Sequence, residues 1–194
     1  MNETLMTVST ILLAVFAMLS IFDGVFYHLW KFKLQEREDS KFEHLTHTGR
    51  ALLFIPTLIL IYTVGVAGFW AWIAVLVLGL DLIVEILDVL NEKKSRETLG
   101  GLPSREYLLH IILTTVRVAA LTTAFAAMPL DVWSLGISLQ ITVPGISKFV
   151  AYNLLPGAFL VAALHIYLIF DPYLISRIEK VICHRICKNT STVE

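Results

Sequence analysis

Residues 69–90 read FWAWIAVLVLGLDLIVEILDVL. The run from Phe69 to Leu80 carries no charge, and the ten residues that follow carry only Asp81, Glu85 and Asp88. A hydrocarbon core of ~30 Å needs roughly 20 apolar residues at a rise of ~1.5 Å, so this stretch is long enough to cross a bilayer as a helix. Its lack of period-two alternation favours helix over strand, and the acids fit a helix. At i, i+4 and i+7 they share one helical stripe, whereas a period of two would split them between opposite faces.

Four more stretches have the same character, at residues 5–30, 43–66, 105–128 and 149–170. None alternates as a membrane β-barrel strand would, so the backbone polar groups must be satisfied within helices. Over 194 residues, 57% are hydrophobic, 16% are charged and the mean hydropathy is +0.76, which sets the chain apart from soluble domains. The expected fold class is all-α: a polytopic integral membrane helical bundle of about five transmembrane helices, in a plasma membrane or a bacterial inner membrane. Membrane lipid is the expected partner, and oligomer formation is left open. No basic stripe or nucleic-acid motif is present, and neither is a phosphate loop, nucleophile elbow or zincin motif.

Charge placement orients the bundle. Of the 15 Lys and Arg, all but Lys148 and Arg117 fall at residues 31–50, 93–105 and 177–188. The connections at 65–68 and 129–147 contain no Lys or Arg. The positive-inside rule therefore puts the N-terminus outside and the C-terminus in the cytoplasm. No basic residue precedes the first apolar run and no small-residue cleavage site follows it, so the first helix is expected to be an anchor. Residues 1–171 form the expected transmembrane domain. Residues 172–194 place Leu174, Ile175, Ile178, Val181, Ile182 and Ile186 near one side and basic residues near the other, as in an interfacial amphipathic tail. Cys183 and Cys187 lie in that tail, where a disulfide is not expected to persist.

Local signals refine the ends. Ser40 and Glu43 have the spacing of a capping box for the second helix. Ser104 follows Gly100, Gly101 and Pro103 as a cap for the fourth, and Pro56 can kink the second. Trp133, Leu135, Ile137, Leu139 and Ile141 alternate as in a short extended segment. His44 reads as a solvated or interfacial residue, and Cys183, His184 and Cys187 as a weak metal motif.

The chemistry lies in the ionisable residues of the apolar helices. The first carries Asp23 and His28. The second opens with Glu43, His47 and Arg50, and the third carries Asp81, Glu85 and Asp88. On the fourth, Glu106, His110 and Arg117 stack with Thr114 between them, and the fifth contributes His165. Topology puts all of them in the cytoplasmic half. Buried charge costs several kcal/mol per group unless paired, and here acids outnumber nearby bases.

Three main readings follow. Carboxylates with histidines are the ligand mix of iron, manganese or zinc centres, so Asp23, His28, Glu43, His47, Asp81, Glu85, Asp88, Glu106 and His110 are candidate ligands for one or two divalent metals. The soluble di-iron bundles space Glu and His three apart, whereas Glu43/His47 and Glu106/His110 are four apart. In the second reading the groups neutralise one another, as Asp81 with Arg117 or Glu43 with Arg50. The third is ion or proton translocation, which needs a path through an outer half that offers only residues such as Tyr62, Thr63, Thr122, Thr123 and Asn153. A histidine-ligated haem is a smaller fourth option that the surplus of carboxylates disfavours. The expectation is a membrane metalloenzyme, hydrolase or oxidase/oxygenase, acting on a lipid or other apolar substrate, with Arg117 and His165 catalytic. A non-catalytic membrane subunit or transporter is the rival.

Overall fold

The computed structural model describes residues 1–136 and 141–190, and side chains as far as Cys183. Ile137 and Leu139 of the alternating segment, and the side chains of His184, Ile186 and Cys187, lie outside the described residues. Among the described residues every regular element is helical. Six α-helices occur: α1 (Glu3–Phe22), α2 (Lys41–Thr57), α3 (Phe69–Ser95), α4 (Ser104–Ala127), α5 (Gly145–Phe170) and α6 (Leu174–Thr190). Two of them run on as wider π-helical turns, α1 through Asp23–Lys31 and α2 through Leu58–Val64. The second begins just after Pro56, whose missing N–H leaves a carbonyl of the preceding turn unbonded and loosens the ladder there.

Among the described residues four helices are long and apolar enough to cross a membrane: Glu3–Lys31, Lys41–Val64, Ser104–Ala127 and Gly145–Phe170. The 27-residue α3 lies beside them, with its acids turned inward. Large apolar side chains such as Ile11, Met18, Leu90, Leu160 and Phe170 are exposed, a surface compatible with lipid rather than water as the surrounding solvent.

The helices run between two ends. At one, the Asn2 amide donates to the Ala127 carbonyl at 2.7 Å, Gly68 to Val132 at 2.8 Å and Ile141 to Gly65 at 2.9 Å. Gly65 has φ +70, and a Cβ there would strike the Ile141 carbonyl, so this crossing of chains requires glycine. The segment after Pro129 opens as a 3-10 turn, Leu130–Trp133, and not as extended chain, because its buried Val132 and the carbonyl used by Gly68 hold it against α3. At the other end Lys33 donates to Glu179 at 2.5 Å, Ser176 to Glu36 at 2.5 Å, and Arg37 bonds Thr98.

Packing pairs α1 with α4 and α5, and α2 with α3 and α5. The backbones of α3 and α4 scarcely approach each other, and long polar side chains span the gap between them. The core away from that gap is built on alanine: Ala71, Ala74, Ala120, Ala124, Ala127, Ala151, Ala158 and Ala162 are all buried. Small residues let helices approach closely where apolar surroundings give no hydrophobic push.

Candidate metal centre

The π-helical turn after α1 is the first determinant of the site. Asp23 and His28 are five apart, which in an α-helix separates them by about 140°. A π turn bonds i to i+5 and brings them onto one side. Asp23 Oδ2 accordingly lies 3.5 Å from His28 Nε2, both residues buried.

From α2, Glu43 and His47 point into the same space with Oε1 and Nε2 3.7 Å apart. The His47 and His28 rings meet edge to face at 4.4 Å between centroids. From α4, His110 turns Nε2 toward Asp23 Oδ1 at 3.2 Å and Nδ1 against Glu92 of α3. Below them, in the loop that leaves α3, Arg96 is fully buried. Its guanidinium donates to both oxygens of Glu43, at 2.7 and 3.0 Å, and to Glu106 Oε1 from Nε at 3.0 Å and Nη2 at 2.5 Å. Phe32 caps its face with ring centroid 5.3 Å from Cζ. Burial opposes the charge on Arg96, but Glu43 and Glu106 outweigh it and raise its pKa above the ordinary arginine value.

Among the described residues three overlapping triads result, each with ligand atoms within 4.8 Å of one another: Asp23–His28–His110, His28–Glu43–His47 and Glu92–Glu106–His110. His28 Nε2, His47 Nε2 and Glu106 Oε2 are buried and have no hydrogen-bond partner. Donor atoms in this state, at this spacing and of this nitrogen–oxygen mix suit a divalent transition metal.

The deeper acids are placed differently. Asp81 Oδ2 pairs with Arg117 Nη1 at 2.5 Å, and Glu85 pairs with Arg117 Nη2 while accepting from Thr114 at 2.7 Å. Arg50 lies along the same stripe, 3.4 Å from Asp88, 3.6 Å from Glu85 and 3.9 Å from Asp81. Asp88 joins the two blocks: Oδ1 accepts from Thr46 at 2.5 Å, and Oδ2 is 3.5 Å from His47 Nε2. Of the nine candidate ligands, then, Asp23, His28, Glu43, His47, Glu106 and His110 converge in triads, while Asp81 and Glu85 sit in ion pairs. Arg117 belongs to those pairs. His165 stacks on His44 at 5.1 Å, outside the triads.

Two expectations are corrected. His44 is buried, because its Nε2 reaches the His165 carbonyl at 3.2 Å across α5. Ser40 and Glu43 make no capping box: Ser40 Oγ donates to the Ser95 carbonyl at 3.2 Å and Glu43 is taken by Arg96, so both are spent on the site. Glu92 and Arg96 join the site from outside the nine candidate ligands. Glu92 continues the 81/85/88 stripe one turn on, which was a usable signal. Arg96 follows the helix end among the charges of residues 93–105, and nothing in its spacing marks it as buried.

No family model, curated protein or solved structure matches this chain. The chemistry of the layer therefore rests on its geometry.

Proposed function

We propose that the chain is a membrane-embedded metal-dependent enzyme, a hydrolase or an oxidase/oxygenase, whose ion is held by His28, Glu43 and His47 with Asp23 and Asp88 beside them. One observation carries the reading: His28 Nε2 is buried, has no hydrogen-bond partner although Asp23 Oδ2 lies 3.5 Å away, and sits in a layer where seven carboxylates face three guanidiniums. A cation is the economical answer to that excess of negative charge. A bound zinc, manganese or iron would supply Lewis acidity or an activated water or dioxygen. Arg50 and Arg117 neutralise the deep acids and fix α3 against α2 and α4. Arg117 and His165 are proposed to border the substrate, a lipid or other apolar molecule entering from the bilayer.

The proposed topology is five crossings, α3 included, with the N-terminus outside and α6 lying along the cytoplasmic interface. The two sets of helix ends support it, since every basic connection falls at the end that holds Lys33, Arg37 and Arg96. A transporter fits less well. Toward the other end, among the described residues, Ser9 bonds Tyr62 and the Ala120 carbonyl at 2.7 Å and Thr10 bonds Ser147 at 2.7 Å, so these buried polar groups are spent on one another.

Elemental analysis of protein purified in detergent tests the proposal, with His28→Ala alongside. Stoichiometric transition metal in the parent protein, lost or sharply reduced in the variant, is the expected result. A metal-free protein that takes up none on incubation with zinc, manganese or iron would favour the non-catalytic reading.

A further inference from the structure

The proposed ion at His28–Glu43–His47 leaves one triad wholly unused. Glu92, Glu106 and His110 share no residue with it. We infer that these three residues form a second divalent-cation site, distinct from the first and built together with it.

The case for a ligand here begins with Glu106, which is fully buried. Arg96 takes only its Oε1, and Oε2 has no partner. A carboxylate oxygen buried without a donor is costly unless a cation meets it. Glu92, also buried, and His110 Nδ1 supply the other two donors from α3 and α4. The second nitrogen of His110 is oriented as metal-bound histidines usually are, with Nε2 toward a carboxylate, Asp23 Oδ1. An ion at this place would also stitch together two helices whose backbones scarcely touch.

Two connections tie the sites together. Arg96 holds Glu43 of the first with one side of its fork and Glu106 of the second with the other. Asp23 places Oδ2 beside His28 and Oδ1 beside His110, whose ring centroids are 5.8 Å apart. Occupancy of one site thus orders a ligand of the other through a shared carboxylate and a shared guanidinium. Mixed nitrogen and oxygen donors suit zinc, manganese or iron rather than calcium or magnesium.

The competing arrangement holds no second ion: a doubly protonated His110 would simply lie between Glu92 and Asp23. Zinc stoichiometry on purified full-length protein separates the two. The parent should bind two ions per chain, one for each disjoint triad. Glu92→Gln, which leaves the Arg96 contacts intact, should bind one, and so should His47→Ala, each having lost a different site. Glu106→Gln, if it folds, should match Glu92→Gln. One ion in the parent, lost in His47→Ala and retained in Glu92→Gln, would overturn the second site while leaving the first standing. No bound zinc in any of them would overturn both.

Discussion

The two ends of this bundle solve the packing of helices in opposite ways. Around Ala120, Ala124 and Ala151, each at most 1% exposed, the helices close on small side chains, and the few polar groups there pair locally. Around Arg96, Glu43 and Glu106, also at most 1% exposed, long ionisable side chains bridge separated helices. Close alanine packing needs nothing beyond the chain. The charged end holds more carboxylates than guanidiniums, and on the proposed reading cations complete it. If the proposed function holds, stability rests mainly on one end and function on the other.

The largest effect should come from breaking the charged end at its hub. Arg96→Met leaves Glu43 and Glu106 buried without their shared donor, a loss of about 3–5 kcal/mol for a broken buried pair. Denaturation in detergent micelles should show it, together with impaired metal uptake, since Glu43 loses its orientation. Ala124→Leu probes the opposite end. It overpacks a fully buried position at a cost of about 1–3 kcal/mol, and metal content per folded chain should not change. If instead the two variants lost metal equally, the division between the ends would be wrong.

Within the charged end, Glu85→Gln separates the ion-paired block from the triads. Glu85 accepts from Arg117 and Thr114, so the amide should cost about 1–3 kcal/mol by weakening a buried charged hydrogen bond, with metal content retained. A variant that is more stable than the parent, or that loses its metal, would show that Glu85 is not held by these pairs.

The smallest effect concerns the loops that close this end. Asp39 has its pKa lowered first by the Thr98 hydroxyl and then by Arg37, although burial works against the charge. A depressed carboxylate stabilises the fold above its unfolded pKa, about 4, and that contribution fades as pH falls through the lower folded value. Thr98→Ala should therefore leave a shallower acid-side decline in stability. The measurement is unfolding followed from neutral pH to below pH 4, and an unchanged slope would remove this clasp from the account.

Much of the fold was legible because hydropathy and charge are local signals. Residues 69–90 alone fix helix over strand, and the acidic stripe on α3 does face inward. The site was legible as a layer but not as a set of contacts. Asp23 and His28 look misaligned at a spacing of five, and only the change from α to π hydrogen bonding joins them, which side-chain periodicity does not encode. Ser40 and Glu43 fit a capping pattern because local spacing cannot register that the Ser95 carbonyl takes the Ser40 hydroxyl from 55 residues away and Arg96 takes the Glu43 carboxylate from 53. The Asp81–Arg117 pair is readable from the sequence, but not that Arg117 also takes Glu85 or that Arg50 lies along the α3 acids while Glu43 goes to Arg96.

Thermal unfolding of one purified sample before chelation, after it and after readdition of zinc tests most directly whether cations complete the charged end. An ion bound only by the folded state stabilises it by about 2.7 kcal/mol at a free concentration one hundred times its dissociation constant. The account predicts a clear fall in Tm on chelation, full recovery with zinc, and no such response in His28→Ala. A metal-free protein whose Tm is indifferent to both chelator and zinc would contradict it.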